Sequence, residues 1–276
     1  MMQVGIFAKT FPGTDPAQVM AAAGAAGYET VQFNLACAGL PSLPEEIEDA
    51  AALVAEIAAA RLQSGIGIAA LSGTYNMAHP DPAKRAHGRR GLASVVGIAG
   101  ALGIPLITLC TGSRHSTDQW AHHADNAMPE AWADMAAEIE AALDLAEAAG
   151  VALGIEPEQA NIVTTATDAR RLIAEMGSSR LKIVLDPANL FERATAEDAR
   201  KIVARAVDVS AGSIAMVHAK DRHADGRFAA SGQGIVDFPD FILRLRATGF
   251  DAAVVTHGLE PQEAPGIARF LKGLLA

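Results

Sequence analysis

The chain has 276 residues, half of them hydrophobic, and its 22 basic and 32 acidic side chains give a formal net charge of −10. This composition lacks the low hydrophobicity of a disordered chain and suits one large α/β domain spanning residues 1–276. The acidic balance argues against binding to nucleic acid or to an anionic membrane surface.

The two cysteines and the longest apolar stretches indicate where the protein works. Cys37 and Cys110 are far apart and each lies among apolar residues, so we expect buried thiols and no disulfide. The first residues show no basic leader followed by a long apolar segment, and the apolar stretches are broken by glycine and proline before they reach membrane-spanning length. These features predict a cytoplasmic protein with no membrane contact.

Eight short apolar runs recur along the chain, separated by alanine-rich segments with helical spacing. In chain order the runs are QVGIFA, TVQFNL, GIAALSG, PLITLCTG, ALGIEPE, KIVLDPAN, IAMVHAKD and AAVVTHG. The clearest helical segment is PEAWADMAAEIEAALDLAEAAG, where Ile139, Leu143 and Ala146 fall on one face. Because the runs are continuous and do not alternate with polar residues, they indicate strands of a parallel sheet covered on both faces.

Residues with capping preferences mark the ends of the predicted helices. The predicted N-caps are Asp15, Thr195 and Asp237. The glycines predicted to end helices are Gly27, Gly103, Gly150 and Gly249. The repeating unit is strand, loop, helix, and eight such units predict a (β/α)8 TIM barrel of eight parallel strands surrounded by helices. An open doubly wound sheet is the alternative, but no strand runs into the glycine-rich motif by which such sheets bind dinucleotides.

Four neighbouring strands end in a side chain that can bind a metal ion. Glu156 follows the fifth run, Asp186 the sixth, His218 the seventh and His257 the eighth. Each one alone is as readily a capping or ion-paired residue, but the carboxyl ends of barrel strands converge on one mouth. Carboxylate and imidazole ligands without thiolate suit Mn²⁺, Zn²⁺, Co²⁺, Fe²⁺ or Mg²⁺. The sequence therefore predicts a site for one divalent metal ion.

Further polar residues follow the predicted strands and are candidates for substrate binding. His79 follows the third strand and either bonds a substrate oxygen or braces its own loop. Arg114 follows the fourth strand and could reach an anionic group of the ligand or the carboxylates after strand five. Lys220 and Arg222 follow the seventh strand and could neutralise an enolate or a phosphate, although Lys220 could instead pair with Asp221.

Two loops near the predicted mouth allow more than one interpretation. In SGQGIVDF, the backbone amides around Gly232 and Gly234 form either an anion cradle or a turn into the helix capped by Asp237. The longest connection, GSRHSTDQWAHHADNAM, carries Trp120 and is either a lid over the site or a solvated loop.

The motifs resemble those of one family. GIEPE, VLDPAN, VHAKD and SGQGIVDFPDFILRLRATGFDAAVVTHGLE are similar to the sugar phosphate isomerase/epimerase group of the xylose isomerase-like TIM barrels, and the resemblance covers nearly the whole chain. In that family a glutamate, an aspartate, a histidine and a glutamate on strands five to eight hold one divalent metal. The resemblance implies Glu156, Asp186 and His218 as ligands. The fourth position departs from the pattern, because this chain has His257 where the family has glutamate.

The resemblance also implies a mechanism. Epimerases of the family exchange a proton of the substrate by means of two metal-bound glutamates, one on strand five and one on strand eight. The resemblance therefore gives Glu156 the first role and His257 the second, and Glu158 or Glu260 is the alternative to His257. Asn189 stands where several relatives carry a histidine, and its carboxamide is expected to bind a substrate hydroxyl.

The predicted function is that of a metal-dependent isomerase or epimerase of a small keto-sugar, polyol or sugar phosphate, which abstracts a proton next to a metal-polarised carbonyl. Two alternatives stay open: an inosose-type dehydratase with the same metal site, and a sugar-binding barrel without catalytic activity. The DNA-repair endonuclease branch of the superfamily needs a basic face, which a net charge of −10 disfavours. The expected partner is a small-molecule substrate, and a homo-oligomer is left open.

Overall fold

Eight parallel strands close into a barrel in the computed structural model, which describes residues 1–276. The barrel strands are β1 (Gln3–Phe7), β2 (Thr30–Phe33), β3 (Gly67–Ser72), β4 (Leu106–Leu109), β5 (Ala152–Ile155), β6 (Leu181–Leu185), β7 (Ile214–His218) and β10 (Ala253–Thr256). Neighbours in the barrel follow chain order, and β10 closes it by pairing with both β7 and β1. The predicted (β/α)8 fold is confirmed.

Eight long helices lie between successive strands and after the last one. They are α1 (Pro16–Ala25), α2 (Ala50–Ser64), α3 (Pro82–Leu102), α4 (Pro129–Ala149), α5 (Ala166–Met176), α6 (Ala196–Ser210), α7 (Phe238–Ala247) and α8 (Ala264–Leu275). The side chains of Asp15, Thr195 and Asp237 accept backbone hydrogen bonds at the starts of α1, α6 and α7, as predicted. None of the helices combines the length and apolar character needed to cross a bilayer.

The predicted helix-ending glycines lie at helix ends. Gly103 and Gly150 are the C-caps of α3 and α4, with φ of 64° and 73°. Gly27 and Gly249 each follow the C-cap of their helix by one residue. These left-handed positions favour glycine, which has no Cβ to clash, so each helix stops where the sequence predicts.

A short ribbon interrupts the repeating pattern after β7. Strands β8 (Asp221–Arg222) and β9 (Phe228–Ala229) pair antiparallel outside the barrel. The ribbon projects from the carboxyl end of β7 and places Arg222 and Phe228 opposite each other. It was not predicted, because strands of two residues leave no periodic signal in the sequence.

Two apolar layers hold the barrel together. One large cluster of buried side chains fills the space between strands and helices. A smaller cluster packs strand residues together and consists of Ala70, Leu106, Val184, Met216, Ala253 and Val255. Cys37 and Cys110 are both buried free thiols, as predicted. Polar side chains are concentrated at the carboxyl ends of the strands, above this apolar packing.

Candidate metal centre and active site

The structure brings the four predicted ligands together. Glu156, Asp186, His218 and His257 lie at the carboxyl ends of β5, β6, β7 and β10, and one ligand atom of each lies within 4.8 Å of all the others. Asp186 is fully buried and His218 is 4% exposed. Adjacent parallel strands that end at one level deliver their next side chains to a common volume, which explains the convergence.

The distances within this cluster fit one shared cation. His218 Nδ1 lies 3.2 Å from Glu156 Oε2 and 3.9 Å from Asp186 Oδ2, and His257 Nε2 lies 3.2 Å from Asp186 Oδ2. Ligand bonds of about 2.1 Å would place donors on opposite sides of an ion about 4.2 Å apart. The four ligand atoms all lie within 4.8 Å of one another, so the cluster is only slightly wider than this separation. His218 Nδ1 is buried without a hydrogen-bond partner, as expected of a ring nitrogen that is available as a ligand.

The charges around the cluster shift the pKa values of its members. Burial would raise the pKa of Asp186, but the neighbouring Lys220 and His257 outweigh burial and lower that pKa. Burial would lower the pKa of His218, but Glu156 and Asp186 together outweigh burial and raise it. Burial and the nearby His218 together lower the pKa of His257. The buried carboxylate of Asp186 is thus held in its ionised form, which is the form that binds a cation.

Asn189 and Lys220 support the carboxylate of Glu156. The side-chain amide of Asn189 donates to Glu156 Oε1 at 2.7 Å and accepts from Lys220 Nζ at 2.9 Å. Lys220 is buried and also lies 3.8 Å from Asp186 Oδ2. Asn189, predicted to bind a substrate hydroxyl, bonds protein groups with both ends of its amide.

Gln32 contacts the ligand cluster from β2 and is not among the site residues predicted from the sequence. Its Oε1 accepts a hydrogen bond from His218 Nε2 at 2.8 Å, and its Nε2 donates to the hydroxyls of Ser72 and Thr108 at 3.0 Å each. The only signal in the sequence is a polar amide within the second apolar run. All four side chains are buried, so this strand belongs to the site although it carries no ligand.

Glu158 and the ribbon lie beside the ligands. Burial, together with the nearby Glu156, raises the pKa of Glu158 to about 7. Lys220 Nζ and the Arg222 guanidinium lie over the ring of Phe228, at 3.6 and 4.0 Å from its centroid. The ribbon therefore holds both predicted cations against one aromatic ring.

Two predicted substrate-binding residues bond other parts of the protein, and a third is exposed. His79 Nε2 donates to the carbonyl of Ser116 at 2.9 Å, so His79 braces its loop. The Arg114 guanidinium lies 2.7 Å from Asp134 on α4, and not against the carboxylates that follow β5. The Arg114 side chain is 10% exposed and that of Asp134 is 35% exposed, so this ion pair is partly buried. Glu260 is exposed on the loop after β10.

The predicted anion cradle is occupied by a side chain of the protein. The Asp221 carboxylate accepts hydrogen bonds from the backbone amides of Gly232, Gly234 and Val236, at 2.8–3.1 Å, and from Arg222. These amides face a buried carboxylate and offer no donor to a ligand. Lys220 points to Asn189 and not to Asp221, so the alternative pairing of Lys220 is not observed.

A cavity of about 440 Å³ adjoins the ligand cluster on the side of β1 to β4. Its walls include the side chains of Glu156, His218 and His257, the cation of Lys9 and the aromatic rings of Phe7 and Trp120. The remaining wall residues carry neutral hydroxyl or amide groups, and they are Gln32, Asn34, Ser42, Ser72, Thr74, Thr108 and Gln119. Trp120 comes from the long loop after β4 and is 48% exposed. Hydroxyl and amide groups beside an aromatic ring suit a small polyhydroxylated molecule.

Known proteins share this fold. The family model for xylose isomerase-like TIM barrels matches residues 20–273. No curated protein matches the chain in sequence. Among solved structures, apo 3-keto-D-glucoside 4-epimerase from E. coli is 16% identical with a TM-score of 0.77, over 99% of this chain and 100% of that one.

Two further structures are similar. D-allulose 3-epimerase from Methylomonas sp., solved in complex with D-allulose, is 18% identical with a TM-score of 0.74, over 99% of this chain and 96% of that one. L-ribulose 3-epimerase is 20% identical with a TM-score of 0.75, over 99% and 94% of the two chains. The family match over nearly the whole length confirms the resemblance seen in the motifs: the chain belongs to the xylose isomerase-like TIM barrels.

Proposed function

We propose that the protein is a divalent-metal-dependent isomerase or epimerase of a small keto-sugar, polyol or sugar phosphate. The observation that carries the proposal is the convergence of Glu156, Asp186, His218 and His257 at one end of a polar cavity. The similar solved structures are sugar epimerases, which supports the same class of substrate here.

Glu156, Asp186, His218 and His257 are the proposed ligands of the ion. A bound divalent ion would polarise a ketone and its neighbouring hydroxyl and so acidify the carbon between them. Which of Mn²⁺, Zn²⁺, Co²⁺, Fe²⁺ and Mg²⁺ is native is left to measurement.

The protein's own residues supply the proton transfer and the substrate contacts. Glu156, whose carboxylate Asn189 orients, is the proposed base, and His257 or Glu158 exchanges the proton on the other side of the carbon. Lys220 Nζ lies 3.8 Å from Asp186, and its positive charge stabilises the substrate oxygen that becomes negative. Arg222, on the β8–β9 ribbon, adds a second positive charge nearby. The neutral polar walls of the cavity bind the remaining hydroxyls of the substrate.

His79, Arg114 and Glu260 have a different place in this proposal. His79 and Arg114 shape the loops that follow β3 and β4, because their polar atoms already bond protein groups. Glu260 is exposed and receives no role in proton transfer.

A dehydratase of an inosose-like ketone is the second candidate. It is favoured by Glu158, because a carboxyl group with a pKa of about 7 can carry a proton near neutral pH and donate it to a departing hydroxyl group.

Metal content is the first test. We expect one ion per chain by elemental analysis of the wild type and of the control Glu260→Gln, which alters an exposed carboxylate of the mouth. Glu156→Gln and His218→Ala should lose the ion and keep the circular dichroism of the folded chain. Full occupancy in both variants would remove the proposed site, and a wild type that never binds a divalent ion would favour a sugar-binding barrel.

Proton exchange is the second test. The metal-loaded protein should incorporate solvent deuterium into members of a panel of ketoses and inosose-like ketones, detected by NMR. Deuterium in an otherwise intact sugar supports isomerisation or epimerisation, whereas loss of water supports the dehydratase. Absence of both from every ketone tested would contradict the proposal.

A further inference from the structure

We propose that Gln32 is a positioning residue that holds His218 in the tautomer with its hydrogen on Nε2, so that Nδ1 is presented to the ion without a proton. The inference rests on the proposed function, because it concerns the same metal site. It assigns a role to β2, a strand that contributes no ligand.

The contacts of His218 determine which nitrogen carries the hydrogen. Nε2 lies 2.8 Å from Oε1 of Gln32, and an amide oxygen can only accept a hydrogen bond, so Nε2 must donate. A metal ion binds the neutral imidazole, which has one such hydrogen, so the lone pair of the ion-binding form is on Nδ1. Nδ1 is buried without a hydrogen-bond partner and lies 3.2 Å from Glu156 Oε2, inside the ligand cluster.

The other end of the Gln32 amide bonds two hydroxyls. Its two Nε2 hydrogens point to Ser72 Oγ on β3 and Thr108 Oγ1 on β4, at 3.0 Å each. Rotating the amide by half a turn would bring its NH₂ group to Nε2 of His218. The imidazole would then have to move its hydrogen to Nδ1, where it would face Glu156 and block binding of an ion. In the observed orientation the hydroxyls accept from the NH₂ group, and Oε1 is the end of the amide that faces His218.

The network joins the two halves of the barrel mouth. Gln32, Ser72 and Thr108 belong to the strands that line the cavity, whereas the ligands follow β5, β6, β7 and β10. Gln32, Ser72, Thr108 and His218 are between 2% and 6% exposed, so water does not compete for their hydrogen bonds. A partner of this kind on the second nitrogen of a histidine ligand fixes the direction of its ring and its tautomer.

Three variants separate this role from a general loss of packing. Gln32→Met keeps the length of the side chain but removes the acceptor, whereas Gln32→Glu keeps an acceptor for Nε2. Gln159→Met is the matched control, because Gln159 bonds only the carbonyls of Thr164 and Leu190 and touches no ligand. The probe is Mn²⁺ or Zn²⁺ added to chelator-treated full-length protein, measured by titration calorimetry.

We expect Gln32→Met to weaken ion binding by about 10–100-fold, the range found when the partner of a histidine ligand is removed. Gln32→Glu should bind the ion at least as tightly as the wild type, because a carboxylate accepts from Nε2 and makes the imidazole a stronger donor. Gln159→Met should bind it like the wild type. Long-range ¹H–¹⁵N NMR of ¹⁵N-histidine-labelled apo protein is recorded at a pH above the raised pKa of His218, where its imidazole is neutral. It should place the His218 hydrogen on Nε2 in the wild type and in Gln32→Glu, and show a population with the hydrogen on Nδ1 in Gln32→Met. His218→Asn identifies the signal.

Each outcome decides the proposal. Unchanged affinity and an unchanged tautomer in Gln32→Met would overturn the role of Gln32 while leaving the metal site in place. If the wild type binds no ion, the proposed function fails, and the NMR comparison alone decides whether Gln32 sets the tautomer. If Gln32→Met does not fold, the double variant Ser72→Ala/Thr108→Val, which releases the amide, must weaken ion binding, and unchanged affinity would overturn the proposal.

Discussion

Replacing Asp221 by asparagine should loosen the loop between β9 and α7. The buried Asp221 carboxylate accepts four backbone hydrogen bonds, from Arg222 and Val236 at Oδ1 and from Gly232 and Gly234 at Oδ2. Asparagine has one acceptor oxygen and an NH₂ group in the second place. Whichever way the new side chain turns, two of the four bonds are lost and two amide hydrogens face other hydrogens.

The size of the effect follows from that count. A hydrogen bond to a charged group contributes about 1.5–3 kcal/mol, so the loss of two predicts a decrease of about 3–6 kcal/mol in the free energy of unfolding. For chains of this size, 1 kcal/mol corresponds to roughly 2–4 °C, so the melting temperature should fall by at least about 6 °C.

The matched control makes the same chemical change at the start of α7. Asp237 caps this helix by accepting from the Asp240 amide, and asparagine caps helices as well as aspartate does. Asp237→Asn should therefore melt close to the wild type in calorimetry, while Asp221→Asn melts clearly lower. If both variants unfold like the wild type in heat and in urea, the four bonds do not hold the loop and the reasoning is refuted.

Three further predictions concern the tyrosines, a turn and the cavity wall. Burial raises the pKa of Tyr28 to about 12 and also raises the pKa of Tyr75. The neutral tyrosines therefore stabilise the fold fully below pH 10, and this stabilisation is lost as the pH rises through their folded-state pKa values. Tyrosinate absorbance that appears near pH 10 in the folded protein would contradict this prediction. Gly103→Ala should cost about 1–2 kcal/mol from its left-handed φ alone, whereas Gly112→Ala should cost more in urea unfolding, because its Cβ would collide with Oδ1 of Asn76. Trp120→Ala should raise KM for the sugar substrate without changing the melting temperature, since this half-exposed ring lines the cavity, and an equal KM would exclude the contact.

The fold was predictable because barrel strands are buried on both faces. Each of the eight strands therefore leaves a continuous apolar run, and the caps at Asp15, Thr195 and Asp237 bound the helices between them. The β8–β9 ribbon was not predictable, since its pairing depends on the ordered loop around Asp221 and not on a hydrophobic pattern.

The candidate site was predictable only where a local signal existed. A polar residue that ends an apolar run, such as Asp186, indicates a position at the mouth, and the closed barrel explains why four such residues converge. Pairings between distant elements leave no such mark. Gln32 is 186 residues from His218 in the chain, and Asp134, which takes the guanidinium of Arg114, looks in the sequence like any exposed helix residue.

The replacement of glutamate by His257 changes the charge of the cluster as well as one donor atom. Glu156 and Asp186 carry two negative charges, which balance a divalent ion, and a glutamate at the eighth strand would add a third. The two imidazoles can bind as neutral donors. Lys220, whose Nζ lies 3.8 Å from Asp186, adds one positive charge beside the cluster. A set of two nitrogens and two carboxylates favours Zn²⁺, Co²⁺ or Fe²⁺ over Mg²⁺, which prefers oxygen. If the proposed ion is bound, His218 and His257 must both offer an unprotonated nitrogen, so half of the proposed donor atoms depend on the tautomer that the surrounding protein selects. This dependence gives weight to the hydrogen bond from His218 to Gln32.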